Sequence, residues 1–208
     1  MTHPLAILTE GVPRSTPAFY FDLASPQAYL VAERILHTMP GPVEWRPVLA
    51  RELPGLDAGA LGAAVRSQLA ERARELSLQP LRWPDPFPFD SSLAMRVATY
   101  AKSIGRVVPF AQAAFRQAFA GGHSLADPDF VLIAAAACEM HPAAVLRAAE
   151  LRTVADQLTA TTATASRAGV ADVPAIVLDG RVYRGEGALE DAAEELVRSR
   201  ARAGAGPR

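Results

Sequence analysis

The stretch Ala18 to Leu30, AFYFDLASPQAYL, constrains this chain more than any other. A short apolar and aromatic run of the kind buried parallel strands show passes through Ser-Pro into a segment with a helical period. Tyr29, Leu30, Ala32, Ile35 and Leu36 mark that helix, from Pro26 to about Met39, and Pro40-Gly41 stops it. Val43 to Val48, VEWRPV, then alternates apolar and polar as a second strand does, with Pro47 setting its end at an edge or a bend. Strand, helix and strand in this order make a β-α-β unit, whose crossover is right-handed. The chain therefore begins as a sheet protein with parallel pairing.

After Leu53-Pro54-Gly55 the pattern changes. Five Ala-, Leu- and Arg-rich segments follow with a helical period: Asp57 to Leu78, Ser91 to Ile104, Pro109 to Ala120, Asp127 to Met140 and Pro142 to about Ala168. Breaks at Pro80 to Pro88, Gly105, Gly121-Gly122 and His141-Pro142 separate them. Strand character returns at AIVL, Ala175 to Leu178, and at Val182-Tyr183, which flank Asp179-Gly180, a type I′ hairpin signal. Leu189 to about Arg200 reads as a closing helix, with a frayed ARAGAGPR tail. The order predicts an α/β fold. Residues 16–54 and 169–202 form the sheet domain, and residues 55–168 are an all-helical insertion between its βαβ and ββα halves.

Composition narrows the chemistry. A chain of 208 residues that is half hydrophobic can bury a substantial core. Its net charge of -1 offers no basic field for nucleic acid, and no apolar run reaches the ~20 residues that span a bilayer. A small molecule or a protein is the easier partner. The N-terminal MTHPLAILTEGVPRSTP has no basic region before its short apolar run, so it does not read as a signal peptide, and a cytoplasmic location is expected. Cys138 is the one cysteine, which excludes an intramolecular disulfide, a dithiol redox centre and a multi-cysteine zinc site. In its Ala-rich helix it reads as a small buried hydrophobe. No metal is expected. Lys102 is the one lysine, placed on a polar helix face.

A strand ending at Leu23 and a helix starting at Pro26 put Ser25 at the N-cap, where Ser and the following Pro are both favoured for local reasons. The same helix start also favours an anion, through free N–H groups and the partial positive charge of the helix end. A thiolate is such an anion, and the Ser25 hydroxyl is a donor for it. Far along the chain, Asp172-Val-Pro-Ala opens a strand at Pro174. A cis peptide there would leave the Val173 backbone free to pair with an extended peptide ligand, while a trans proline is also common at a strand start.

These pieces, in this order, resemble the thioredoxin-like superfamily with a helical insertion. Within it the chain is most similar to the 2-hydroxychromene-2-carboxylate isomerase family, relatives of kappa-class glutathione transferases and DsbA-like proteins. The resemblance rests on FYFDLASPQAYL, VEWRPVLARELPG, LRWPDPFPFDSSLAMR and ADVPAIVLDGRVYRGEGALE, and runs from Ala18 to about Val197. It implies a homodimeric enzyme that uses glutathione or another low-molecular-weight thiol to isomerise or conjugate a small aromatic or conjugated carbonyl compound. Ser25 matches the family's serine, which holds the cofactor sulfur as thiolate. Val173 and Pro174 match the ligand-pairing strand start, and Gly185 and Glu186 the turn that grips the glutathione amino end. Arg51, Trp83, Phe89 and Asp90 fall where substrate would bind.

The sequence departs from the family at Ala28, where a second first-turn hydroxyl is usual, and near Glu52-Leu53, where the isomerase lysine is missing. Arg46 and Arg51 stand near that place, but arginine is not a simple replacement for lysine. Asp90 replaces the usual Asn before Ser91, and Gly187 the usual Asp. A second reading therefore stays open: a thioredoxin-like binding protein without a dithiol and without catalysis. Trp83, Phe87 and Phe89 are either the lining of an aromatic pocket or packing anchors.

Overall fold

The structure, a computed structural model, describes residues 16–55, 61–185 and 187–204. Strand β1 (Ala18–Phe21) runs parallel to β2 (Glu44–Pro47), with Phe19 opposite Trp45, and antiparallel to β3 (Ala175–Leu178), with Phe19 opposite Ile176. Strand β4 (Arg181–Arg184) completes the order β2-β1-β3-β4. All four residues of β1 are buried, which explains a run of apolar residues with no polar alternation. Successive side chains leave opposite faces of a strand. Phe19 and Phe21 enter the main core with Trp45, Ile176 and Leu178, while Ala18 and Tyr20 join a smaller cluster with Val48, Val173 and Ala175.

Two helices, α1 (Pro26–Thr38) and α8 (Ala188–Gly204), pack against each other on the main-core side of the sheet. Helix α8 continues beyond Arg200 through the first residues of the tail expected to fray, and residues 205–208 lie outside those described. The hairpin between β3 and β4 is the expected two-residue turn. Leu178 faces Arg181, and Asp179 and Gly180 have φ of 48° and 80°, the double positive φ that a type I′ turn requires.

Between β2 and β3, in the stretch expected to be a helical insertion, lie α2 (Ala63–Glu75), α3 (Ser92–Ser103), α4 (Val107–Phe119), α5 (Pro128–Ala136), α6 (Pro142–Glu150) and α7 (Arg152–Arg167). The start expected for its first helix, at Asp57, lies outside the described residues, and α2 begins at Ala63. The single helix expected from Pro142 to Ala168 is two, divided at Leu151, whose backbone is extended. The buried positions give the reason. Val145, Ala148 and Ala149 form one stripe, and Val154, Leu158, Thr162 and Ala165 form another. At 3.6 residues per turn the step from Ala149 to Val154 rotates the face by roughly 140°, so one straight helix could not bury both stripes on one side.

The insertion and the sheet share a core. Phe115 of α4 stands 5.9 Å from Phe21 and 6.2 Å from Tyr29 between ring centroids, and Phe119 stands 5.8 Å from Tyr29. Trp45 closes edge-on against Phe19 at 5.0 Å. On the other face of the sheet, Ala165 of α7 packs with Tyr20 and Val170. The end of β1 and the start of α1 are thus held from both sides, which fixes the position of Ser25. Among the described residues no helix is long and apolar enough to cross a membrane.

Candidate functional site

Ser25 is the N-cap of α1, with extended backbone (φ −94°, ψ 112°) and Pro26 following it in the first turn. Its Oγ accepts the Ala28 N–H at 3.1 Å. Its hydroxyl proton faces two distant acceptors, the Val173 carbonyl and Gln27 Oε1, each at 3.5 Å. Both distances lie beyond the usual range for an O–H donor, so the proton is loosely held and available to a ligand. The Val173-Pro174 peptide is cis, as one of the two sequence readings required. The antiparallel pairing of β1 and β3 brings the end of β1 to the start of β3, with Ser25 and Val173 side by side.

Directly behind them lies a residue the sequence reading overlooked. Asp22 is buried, and its carboxylate accepts the Ala24 N–H through Oδ1 and the Ala50 N–H through Oδ2, each at 2.9 Å. The Ser91 hydroxyl is a further partner, and the Asp22 carbonyl accepts the Ser25 N–H at 3.0 Å. Burial pushes the Asp22 carboxyl above the ordinary aspartate range, against the pull of these hydrogen bonds and of Arg51. One side chain thus ties together the loop before α1, the 3-10 turn Ala50–Glu52 and the start of α3. The signal was an acid inside a buried apolar run, FYFDL. A carboxylate there must be satisfied by hydrogen bonds, so it marks a junction.

These elements surround a cleft of about 620 Å³. Ser25, Pro26 and Val173 form one side, Phe87, Pro88 and Phe89 an apolar wall, and Arg51 and Asp90 a charged rim. Phe87 and Phe89 stand 6.2 Å apart edge to face. Trp83 is not among the lining residues. Its ring lies 5.3 Å from Phe87 and 6.4 Å from Phe119, with the Arg66 guanidinium 4.9 Å over it, so it supports the wall from behind. Pro174 and Gly185 are also absent from the lining. The Gly185 N–H donates to the Pro174 carbonyl at 3.1 Å, which braces the strand start. Glu186 lies outside the described residues, and a side chain at Gly187 would meet open space.

The rim is an ion pair. Arg51 Nη1 donates to Asp90 Oδ1 at 2.6 Å and to Ser92 Oγ at 2.7 Å. Asp90 is not the N-cap of α3, since Ser91 holds that place, but its carboxylate accepts the Ser92 N–H at 3.0 Å. The Ser92 hydroxyl and N–H, and then Arg51, hold the Asp90 carboxyl below the ordinary range. Both side chains are more than half exposed, at 53% and 64%, so the pair adds little stability. Arg51→Ala is expected to cost less than about 1 kcal/mol in urea unfolding. It should move the Asp90 pKa only part of the way back, because Ser92 remains, and an NMR titration of the Asp90 carboxyl checks this.

Arg46 is not part of the cleft lining. It pairs with Glu44 at 2.6 Å and with the Tyr20 hydroxyl at 3.0 Å. Lys102 joins the same group, donating to Glu44 at 2.5 Å and to the Trp45 carbonyl at 3.2 Å. Cys138 is buried, its thiol 3.3 Å from the Ala134 carbonyl, and burial pushes the thiol up from its ordinary pKa.

Solved structures with the same architecture have diverse chemistry. A 2-hydroxychromene-2-carboxylate isomerase superposes with a TM-score of 0.76 at 16% identity, over 90% of this chain and 98% of that one. A probable DsbA oxidoreductase from Streptomyces coelicolor gives 0.72 at 22% identity, over 89% and 90%. The cytosolic disulfide reductase DsbM from Pseudomonas aeruginosa, determined with glutathione, gives 0.61 at 15% identity, over 90% and 100%. Likeness at these identities shows the shared fold. A comparison with curated proteins returned no match. The description "DSBA-like thioredoxin domain" matches residues 18–197, from the first strand to within the last helix. The chain belongs to the DsbA-like thioredoxin family.

Proposed function

We propose that the protein is a thiol-dependent isomerase or transferase acting on a small aromatic or conjugated carbonyl compound. The observation that carries this reading is the Ser25 hydroxyl, at the open start of α1 and 3.5 Å from the Val173 carbonyl, facing a cleft with a Phe87-Pro88-Phe89 wall. The family also contains dithiol enzymes, but a chain with one buried cysteine cannot form a disulfide within itself. Ser25 stands where a sulfur held outside the chain would be met by a hydrogen-bond donor.

A bound low-molecular-weight thiol, glutathione or a similar molecule, supplies a nucleophilic sulfur that can add reversibly to a conjugated alkene. The Ser25 hydroxyl donates to that sulfur and favours its anionic form, assisted by the positive end of α1. Serine so placed is a donor and not a nucleophile, so it needs no adjacent histidine. The Val173 backbone stands at the cleft edge, where a strand end can pair with an extended peptide. Phe87 and Phe89 cover an aromatic substrate from water.

A thermal-shift panel of glutathione and other thiols tests the reading. A ligand at about a hundred times its Kd raises stability by about 2.7 kcal/mol, so a binding thiol gives a clear rise in Tm. If no thiol shifts the melt at high excess, the reading fails. A second reading is a binding protein that has kept the fold and lost the chemistry, favoured by Ala28 in the first turn of α1 and by Gly187 after the hairpin. It predicts no thiol-induced shift in the melt and no turnover of conjugated carbonyl compounds.

A further inference from the structure

The Val173 N–H is not free. It donates to the carboxylate of the residue before it, Asp172 Oδ1, at 2.7 Å. Asp172 is half-buried and lines the same cleft as Ser25. Its backbone neighbour is fixed, because the Ala171 carbonyl accepts the Gly55 N–H at 2.7 Å. Asp172 thus borders the cleft from an anchored backbone, with its Oδ1 on the N–H that the carbonyl of a pairing peptide would take.

We propose that Asp172 is an intramolecular stand-in for the ligand, occupying the Val173 N–H until a ligand carbonyl displaces it, and so determines which thiols the cleft admits. This rests on the thiol-dependent reading and specifies its ligand. Displacement leaves a carboxylate in a cleft whose rim already holds Asp90, and Arg51, the cation among the described lining residues, is itself engaged by Asp90. A ligand with its own carboxylates, such as glutathione, meets like charge there. The favoured class is a thiol with an amide carbonyl for Val173 and a neighbouring N–H or ammonium donor that satisfies Asp172 in exchange. A hydrogen bond to a charged group is strong enough for its loss on ligand entry to cost on the order of tenfold in affinity.

Isothermal titration of glutathione into wild type, Asp172→Ala and Asp172→Asn tests the proposal. Asp172→Ala is expected to bind about tenfold more tightly than wild type. Asp172→Asn, which keeps an acceptor oxygen but loses the charge, should fall between them. Hydrogen exchange at the Val173 amide in the ligand-free proteins supplies an independent reading, about tenfold faster in Asp172→Ala than in wild type. If wild type binds glutathione and all three proteins share one Kd, the role of Asp172 is overturned while the thiol reading stands. If none of them binds glutathione or any other thiol in the panel, both are overturned. Equal Val173 exchange in wild type and Asp172→Ala overturns the role of Asp172 regardless of binding.

Discussion

Ser25→Ala is expected to lower kcat/KM for thiol addition by about two to three orders of magnitude, the scale for removing one donor from a developing or stabilised anion. The fold should barely notice. The side chain also caps α1 by accepting the Ala28 N–H, and losing a serine cap costs about 1 kcal/mol. For a chain of this size that is a fall in Tm of about 2–4 °C. Steady-state kinetics beside a melting curve separate the two roles. A large loss of activity with a small loss of stability identifies a donor to the reacting sulfur, while parallel modest losses identify a cap and nothing more.

The second large effect is on stability. Asp22→Ala removes the acceptor shared by the Ala24 and Ala50 N–H groups and the Ser91 hydroxyl, where Asp22, Ala50 and Ser91 are all buried. Each buried donor left unpaired costs about 1–3 kcal/mol, so the variant should lose about 3 kcal/mol or more and melt about 10 °C lower. The sign of the pH dependence follows from the direction of the Asp22 shift. Its carboxyl is raised in the fold, chiefly by burial, so the proton binds the folded state more tightly than the unfolded one. The contribution of Asp22 to stability is then fully present below about pH 4, the ordinary aspartate value, and declines as pH rises through the folded value. The stability difference between wild type and Asp22→Ala should therefore narrow on raising the pH from acid. Denaturant unfolding at a series of pH values measures it, and a difference that widened with pH would reverse the assignment.

Much of this architecture could be read from the sequence because it is encoded locally. Strand-Ser-Pro-helix, the Asp179-Gly180 turn and the Pro174 strand start each depend on residues next to one another, and each formed as its backbone preferences require. The break at Leu151 was also present in the sequence, as a change of phase between Ala149 and Val154, but helical composition on both sides concealed it. What the sequence could not supply were pairings between distant segments. Asp22 meets Ala50 across 28 positions, and Arg51 meets Asp90 across 39. Arg46 and Arg51 look equivalent on the page, five residues apart. The structure separates them, because Arg46 lies on β2 beside Tyr20 and Arg51 on the turn at the cleft rim. Trp83 and Phe87 are both aromatic and four residues apart, and the structure sets Phe87 in the cleft wall with Trp83 behind it.

The role given to Ser25 makes a prediction about the ligand itself. The thiol pKa of the bound cofactor can be followed by its ultraviolet thiolate absorbance across pH, in wild type and in Ser25→Ala, with glutathione or whichever thiol raises the melt. If Ser25 and the start of α1 hold the sulfur as an anion, the bound thiol in wild type titrates well below the ~8.5 of a free thiol. In Ser25→Ala it moves back toward that value. A bound thiol that titrates at its free value in wild type, or that is lowered equally in both proteins, would contradict the account.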